Sequence, residues 1–368
     1  MARSRKAIII HSPHSGRSAQ LPESIAHLRQ FGIDITTVIS IADLDGHPLQ
    51  GPSWREQGID IVVAAGGDGL IGGVITHIAE SGLPLGILPL GTSNDIARSI
   101  AIPQDIRQAA EVIANGQVIE IDIGVAHPAE QAPHLAGRAA SKGSPTQIPL
   151  QKHGHFAHAL TVGVNVQFAQ LATNIATRQQ YGSLTYPITA FEVLRNHKAL
   201  DMQFSFEGLA IPSYHTTSSS TTPGISEEKV SLHCRTLLAS VINAPIFGGA
   251  FQLAVPGAQV NDRLLDIVIV EDISAEHFNS LIEQLFNPLQ KYAPTLATTD
   301  QQSSLLQKAE LINLPGIHHL QAQGVMITTS VDPQDVTLDG EIRGQTPIYV
   351  RTADERLRVL APQHAPGF

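Results

Sequence analysis

Residues 59–69 read IDIVVAAGGDG, an apolar run that ends in a glycine-rich turn. A short, continuous apolar run is typical of a strand that is buried on both faces, as in parallel sheets. The glycines let the backbone turn sharply and approach a ligand without hindrance from a Cβ atom. Because residues 70–80 have helical spacing, the N–H groups of the loop and of the helix N-terminus predict an anion site suited to phosphate.

The same alternation of strand and helix extends through the first third of the chain. Alternating elements of this kind are typical of a parallel sheet covered by helices. Strands are predicted at residues 6–11, 33–39, 59–65 and 83–90, and helices at 18–31, 70–80 and 105–115. In such sheets, ligands bind outside the carboxyl ends of the strands, where the glycine turn lies.

A second loop of this kind, LPLGTSND at residues 88–95, also follows a strand and opens a helix. Both loops belong at the same edge of the sheet, with Asp68 and Asp95 facing a shared cleft. Thr92 and Asn94 offer neutral hydrogen bonds to phosphate, and Asp95 can orient a water or a metal ion. A carboxylate such as Asp68 repels phosphate unless it holds a metal ion, a ribose hydroxyl or a structural N–H. Each loop alone also fits a simple turn whose polar residue caps the next helix.

The totals of the chain limit its partners. The 368 residues suffice for two domains, and 23 basic against 33 acidic residues give a net charge of −10. This charge argues against nucleic acid as a partner and against strong electrostatic anchoring to anionic membranes. One cysteine fits a reducing compartment, and no apolar run approaches the roughly 18 residues that span a bilayer. We expect a cytoplasmic protein that is soluble or peripherally bound to membranes.

The chain beyond residue 126 is predicted to form a second, mainly β domain. Strand-like segments cover residues 118–126, 155–166, 202–207, 230–244 and 264–270, with helices near 186–197 and 275–285. Tracts rich in Pro, Gly, Ser or Thr predict insertions near 127–151, 213–228 and 287–320. The predicted domains are residues 1–126 and 127–345, followed by a C-terminal segment, 346–368, that we expect to return to the first domain.

Three histidines, His153, His155 and His158, lie close together in a strand-like segment. Two of them, two residues apart, share one face of a strand, as ligands of a metal do. No carboxylate or cysteine lies nearby, however, and none of the usual zinc spacings is present. We therefore interpret these histidines as solvent-facing and packing residues. Cys234, within an apolar strand pattern, is interpreted as a core residue.

The two glycine loops, in this order, resemble the catalytic domain shared by diacylglycerol kinases and by sphingosine and ceramide kinases; NAD kinases are more distant relatives. The sequence NAPIFGGAFQLAVPGAQVNDRLLDIVIVE at 243–271 and LDGE at 338–341 extend the resemblance. It covers about residues 6–126, 237–271 and 336–343. The resemblance implies an N-terminal three-layer α/β domain similar to phosphofructokinase and NAD kinase, followed by a C-terminal mainly-β sandwich.

The resemblance also implies an activity, the ATP-dependent phosphorylation of a lipid hydroxyl at a membrane surface. The lipid would be diacylglycerol or a similar glycerolipid or sphingoid alcohol, and the resemblance leaves a homodimer open. Ser40 stands where relatives place a nucleotide-binding Thr. The residues implied to bind ATP are Ser40, Gly66, Gly67, Asp68, Gly69, Gly72, Thr92 and Asn94.

The resemblance further implies a structural Mg²⁺ ion and a proton acceptor. Asp262 would bind the metal with the backbone carbonyls of Gln259 and Leu264, which are hard oxygen donors suited to Mg²⁺. Glu341 would accept the proton of the lipid hydroxyl, with Asp339 beside it. A lipid alcohol is a poor nucleophile until a carboxylate takes its proton, and Mg²⁺ offsets the triphosphate charge. The implied catalytic set is completed, in a carboxylate–water–metal network, by Asp95 and Asp68.

Three residues depart from the family pattern. Leu70 stands where the family usually has Thr, Gly72 where it has Asn, and Arg263 where it has Gly. These departures keep open a degenerate nucleotide-binding regulator without kinase activity. NAD kinase remains the second enzyme alternative because it shares the GGDG loop, although LPLGTSND and the late Asp-Gly-Glu fit lipid enzymes better. Apolar loops at 135–150 and 286–296 are the predicted membrane contacts.

Overall fold

The computed structural model describes residues 4–44, 50–131, 154–163, 166, 198–210, 225–226, 230–247, 253–255, 257–272, 316–330 and 332–363. Several features predicted from the sequence fall outside these ranges. His153, both helices predicted after residue 180, both predicted membrane-contact loops and most of each predicted insertion lie outside the described residues. Within the described residues, no helix is long and apolar enough to cross a membrane.

The first sheet has six strands in the order β2-β1-β3-β4-β19-β5. Its strands are β1 (Arg5–His11), β2 (Ile33–Ser40), β3 (Ile61–Gly66), β4 (Leu85–Pro89), β5 (Gln117–Ile121) and β19 (Leu357–Ala361). All neighbours are parallel except β5, which runs antiparallel to β19. The helices are α1 (Leu21–Gln30), α2 (Gly51–Glu56), α3 (Asp68–Ile78), α4 (Asp95–Ser99) and α5 (Ile106–Asn115).

Helices cover both faces of this sheet, which is why its central strands are apolar throughout. Every residue of β3 is buried. One layer pairs α1 with α5, and the other packs α2 on α3. Because right-handed crossovers leave β1 and β3 in opposite directions, a crevice opens between their carboxyl ends, where such folds bind ligands. The predicted α/β domain is confirmed.

The second sheet has eleven strands, and its described pairs are antiparallel. Its strands are β6 (Gly124–Pro128), β7 (Gly154–Phe156), β8 (Ala159–Gly163), β9 (Leu200–Ala210), β10 (Ile225–Ser226), β11 (Val230–Ile242), β14 (Leu265–Glu271), β15 (Ile317–Thr329), β16 (Asp335–Leu338), β17 (Glu341–Gln345) and β18 (Ile348–Thr352). A separate small pair joins β12 (Ile246–Phe247) to β13 (Leu253–Ala254).

Two long strands fold this sheet around its own core. β11 and β15 each pair with β14 through one half and with β9 through the other. Phe204, Val241, Ile267 and Val325 are fully buried between the strands. The predicted mainly-β C-terminal part of the fold is confirmed.

The structure divides two segments that the sequence pattern presents as single strands. Residues 118–126 form the end of β5 in the first sheet and the start of β6 in the second, so the chain changes sheet before residue 126. Residues 155–166 contain β7 and β8 with a break at residues 157–158. The last residues also divide, since β18 lies in the second sheet and β19 in the first.

Candidate active site

The two glycine loops lie side by side at the carboxyl end of the first sheet. Gly66 ends β3 and pairs with Pro89 at the end of β4. The backbones of Gly67 and Gly91 touch, because a Cβ atom on Gly91 would lie 2.3 Å from the Cα atom of Gly67. No other residue type fits this approach, so the glycines set the distance between the loops.

The carboxylate of Asp68 holds the second loop. Its two oxygens accept the backbone N–H groups of Asp95 at 3.1 Å and Ile96 at 2.9 Å. These N–H groups belong to the first turn of α4, where a carboxylate is favourable. Of the three partners expected for Asp68, a metal ion, a ribose hydroxyl or a structural N–H, these contacts match the structural N–H. Asp68 thereby fixes the position of Asp95.

Asn94 holds its own loop through its side chain, and its expected hydrogen bond to phosphate stays a prediction. Its backbone is left-handed, with φ of 53°, and the residue is 2% exposed. Its side-chain oxygen accepts the Gly91 N–H at 2.9 Å. Its side-chain nitrogen donates to the Pro89 carbonyl at 3.2 Å and to Gln104 Oε1 at 2.9 Å. Thr92, by contrast, is exposed at the tip of the loop.

A third loop, residues 12–17 after β1, reaches the same edge and was missed in the sequence. A Cβ atom on Gly16 would lie 3.1 Å from Thr92 Oγ1. The guanidinium of Arg17 donates to the carbonyls of Pro89 and Gln104. The signal was present, since SPHSGR directly follows a buried strand and contains turn-forming residues. Ser40 ends the next strand at this edge and is half-buried.

The turn between β16 and β17 carries the late Asp-Gly-Glu motif onto helix α3. Three glycines of α3, at positions 69, 72 and 73, occupy one face of the helix because they are three and four residues apart. A Cβ atom on Gly69 would lie 3.2 Å from Glu341 Oε1, and one on Gly72 would lie 2.3 Å from Asp339 Oδ2. Gly72 therefore makes room for Asp339, and its place in the phosphate cradle stays a prediction.

Asp339 fixes this turn to the break between β7 and β8. The residue is 8% exposed, and its carboxylate accepts the N–H groups of Ala157 at 3.1 Å, His158 at 2.9 Å and Ala159 at 3.1 Å. Burial raises the pKa of Asp339 to about 6, although the nearby His158 and these three N–H groups oppose the rise. Asp339 is thus an anchor for the turn rather than a group open to substrate.

Glu341 is the exposed member of the candidate carboxylates. Its side chain is 57% exposed, and its Oε2 atom accepts from Arg343 Nη2 at 2.5 Å and Nε at 3.1 Å. Its other oxygen faces the first turn of α3 at Gly69. An exposed ion pair of this kind is weak, so the carboxylate can exchange partners when a substrate arrives.

His158, interpreted with the other histidines as a solvent-facing or packing residue, is buried beside Asp95 of this site. Its Nε2 atom lies 3.5 Å from Asp95 Oδ2, and the two side chains are 11% and 3% exposed. No local pattern predicts this contact, because Asp95 begins α4 and His158 lies in the break between β7 and β8, far apart in the chain.

Asp262 is half-buried in the loop implied to bind Mg²⁺. Asp262 Oδ1 accepts the Leu264 N–H at 3.0 Å. Burial raises the pKa of Asp262 to about 7, and the nearby carboxylates of Asp266 and Asp122 add to the rise. A cation here would offset that cost, and the donor set fits Mg²⁺. In the part of the chain that the structure describes, no group of three or more His, Cys, Asp or Glu side chains is arranged for a metal ion, so this site would depend on backbone carbonyls.

Arg263 adopts the backbone conformation that explains why the family has glycine there. Its φ is 64°, in the left-handed region that glycine enters without strain. Its N–H donates to Asp122 Oδ2 at 2.6 Å, and its guanidinium donates to the carbonyls of Ala353 and Asp354. These contacts hold Arg263 in this conformation.

Comparison with known proteins follows the same two-part division. Residues 6–126 match the family model described as the diacylglycerol kinase catalytic domain, and residues 158–292 match the YegS C-terminal NAD kinase beta sandwich-like domain. The chain belongs to the diacylglycerol kinase catalytic-domain family. The resemblance that the motifs carry is thereby confirmed, and membership supports a kinase.

Curated relatives and solved structures span nearly the whole chain of this family member. A protein named diacylglycerol kinase from Staphylococcus saprophyticus is 24% identical over 363 residues, covering 97% of this chain and 96% of the relative. One from Staphylococcus aureus is 23% identical over the same length. The crystal structure of a putative diacylglycerol kinase from Bacillus anthracis has a TM-score of 0.62 at 17% identity, with 98% of each chain covered. This likeness shows the shared fold.

Proposed function

We propose that this chain transfers the γ-phosphate of ATP to the hydroxyl of diacylglycerol or of a similar glycerolipid or sphingoid alcohol. The position of Glu341 carries the proposal. This exposed carboxylate, from the second sheet, faces the first turn of α3, directly after the glycine loop of the first sheet. Phosphoryl transfer to an alcohol needs a proton acceptor beside a phosphate site, and the two sheets supply one each.

The nucleotide would lie along the carboxyl edge of the first sheet. Backbone N–H groups at Gly66, Gly67 and Gly69 suit its phosphates, and the hydroxyl groups of Thr92 and Ser40 are placed to add contacts. The loop has no lysine of the Walker type, so a divalent cation bound with the ATP would supply most of the positive charge. Asp68, Asn94 and Gly72 shape this edge through the contacts described above.

A lipid is favoured over NAD as acceptor by the motifs after the shared GGDG loop. LPLGTSND and the late Asp-Gly-Glu resemble the lipid enzymes, and the curated relatives carry the name diacylglycerol kinase. The enzyme would act at the cytoplasmic surface of a membrane, bound peripherally. Because the net charge is −10, apolar contacts rather than basic residues would provide this binding.

Incubation with a panel of acceptors tests the substrate class. The full chain is given radiolabelled ATP and Mg²⁺ with diacylglycerol, sphingosine, ceramide or NAD, and ATP binding is measured separately by titration. We expect label in one of the lipids and none in NAD. Label in NAD alone would identify an NAD kinase, and ATP binding without transfer would identify a nucleotide-binding regulator.

A structural Mg²⁺ ion would bind at Asp262, with the carbonyls of Gln259 and Leu264. With no nucleotide present, we expect saturating Mg²⁺ to raise the Tm by about 5 °C. Asp262→Asn should remove this response, whereas Asp354→Asn, which changes an aspartate whose side chain is 82% exposed, should keep it. Calorimetry with and without EDTA measures both. An unchanged response in Asp262→Asn would place the metal elsewhere.

The same site gives a pH dependence with a defined sign. The pKa of Asp262 is raised from 3.8 to about 7 in the folded chain. Without metal, its contribution to stability is therefore present below about pH 4 and is lost as the pH rises through 7. Because protons compete with Mg²⁺ for the carboxylate, the metal-induced rise in Tm should be larger at pH 8 than at pH 6. A response independent of pH would contradict the assignment.

A further inference from the structure

Hydrogen bonds to three separate segments fix His158 in place. Its backbone N–H donates to Asp339 Oδ1 at 2.9 Å, and its carbonyl accepts the Asn243 N–H at 2.9 Å. Its Nε2 atom lies 3.1 Å from the carbonyl oxygen of Ile246. A carbonyl can only accept, so Nε2 carries a hydrogen. The imidazole therefore presents a donor in a fixed direction.

The Asp95 carboxylate lies beside this Nε2 atom, whose hydrogen is directed to the Ile246 carbonyl. Asp95 Oδ2 lies 3.5 Å from the same Nε2 atom, and both side chains are buried. The last residue of α4 contacts Ile246 as well, since the Ile246 N–H donates to Ser99 Oγ at 3.1 Å. His158 and Ile246 together hold α4 at its first and last residues. A buried carboxylate held in this way has little freedom to rotate.

We propose that His158 is a positioning residue for phosphoryl transfer, holding the Asp95 carboxylate in line with the turn that bears Glu341. The inference rests on the proposed function. Contacts connect the two sheets through His158, because Asp68 caps the N-terminus of α4 at Asp95 and Asp339 anchors the turn through the N–H of His158. Misplacement of a reacting group by about 1 Å can cost 100-fold in rate, so this link is expected to control turnover.

Two substitutions with side chains of similar length distinguish a positioning role of His158 from a packing role. The amide of His158→Gln can replace the Nε2 donor, whereas His158→Met fills the same space without a donor. We expect His158→Gln to keep kcat within about fivefold of wild type and His158→Met to lower it about 100-fold, with KM for ATP changed less than twofold in both. Equal kcat values for the two variants, high or low, would overturn the proposal.

The activity of the wild-type protein and thermal unfolding of each variant distinguish the possible outcomes. A wild type that transfers no phosphate to any lipid overturns the proposed function and this inference with it. Wild-type transfer together with a fully active His158→Met overturns the inference alone. If His158→Met does not fold, Ser99→Ala tests the contact from the other end of α4. It should lower kcat at unchanged ATP affinity, and a wild-type kcat would overturn the proposal.

Discussion

Glu341→Gln is expected to lower the rate of phosphate transfer about 1000-fold while ATP affinity stays within about twofold. Glutamine has the shape of glutamate and can still accept a hydrogen bond from Arg343, but it cannot take the proton of the lipid hydroxyl. Transfer of label to lipid gives kcat, and titration with a nonhydrolysable ATP analogue gives the affinity. Glu111→Gln, at an exposed position of α5 away from the loops, is the matched control and should behave as wild type.

Either of two results would contradict this role of Glu341. Turnover at the wild-type rate would show that another group accepts the proton. An equal loss of ATP affinity and of turnover would show that Glu341 mainly supports the nucleotide site. The first result would leave Asp95 as the next candidate, although that carboxylate is 2% exposed and lies against His158.

Gly72→Ala is expected to have the second largest effect, since it would push the turn between β16 and β17, which bears Glu341, away from α3. The added Cβ atom would lie 2.3 Å from Asp339 Oδ2 and 3.2 Å from its Cγ, and the carboxylate cannot yield without breaking its three N–H contacts. We expect transfer to fall about 100-fold and the free energy of unfolding to fall by about 2 kcal/mol. Urea denaturation and label transfer measure the two effects.

The neighbouring glycine provides the control for this experiment. A Cβ atom on Gly73 would meet the terminal Cδ1 of Ile41 at 3.3 Å, and this side-chain end can move. Alanine also favours the helix over glycine by about 1 kcal/mol, so Gly73→Ala should be as stable as wild type or more so, and active. Equal effects of Gly72→Ala and Gly73→Ala would show that the turn does not rest on this face of α3.

Much of the fold follows from local sequence patterns. The buried run that ends in GGDG predicts a parallel strand and a phosphate-type turn because both depend on residues next to each other. The division of residues 118–126 could not be predicted in this way. Alternation of apolar and acidic residues is the same in one strand and in two, and only the pairing with β19 and β18 separates them.

The site was less predictable because its contacts join residues far apart in the chain. Gly72 departs from the family pattern, and its reason appears only when Asp339 is placed against it. Leu70, the other departure in this helix, is 6% exposed and packs over Gly66, so position 70 is part of the core in this chain. His158 likewise has no local signal, since its partners come from α4, β12 and the turn after β16.

The central claim is that this chain moves the γ-phosphate of ATP to a lipid hydroxyl. Parallel reactions with γ-labelled and α-labelled ATP, using diacylglycerol in mixed micelles and extraction into organic solvent, test it most directly. The account predicts that γ-labelled ATP alone gives a labelled lipid, and that Glu341→Gln gives none. An organic phase without label from the wild type, with each of the lipid acceptors supplied in turn, would contradict it.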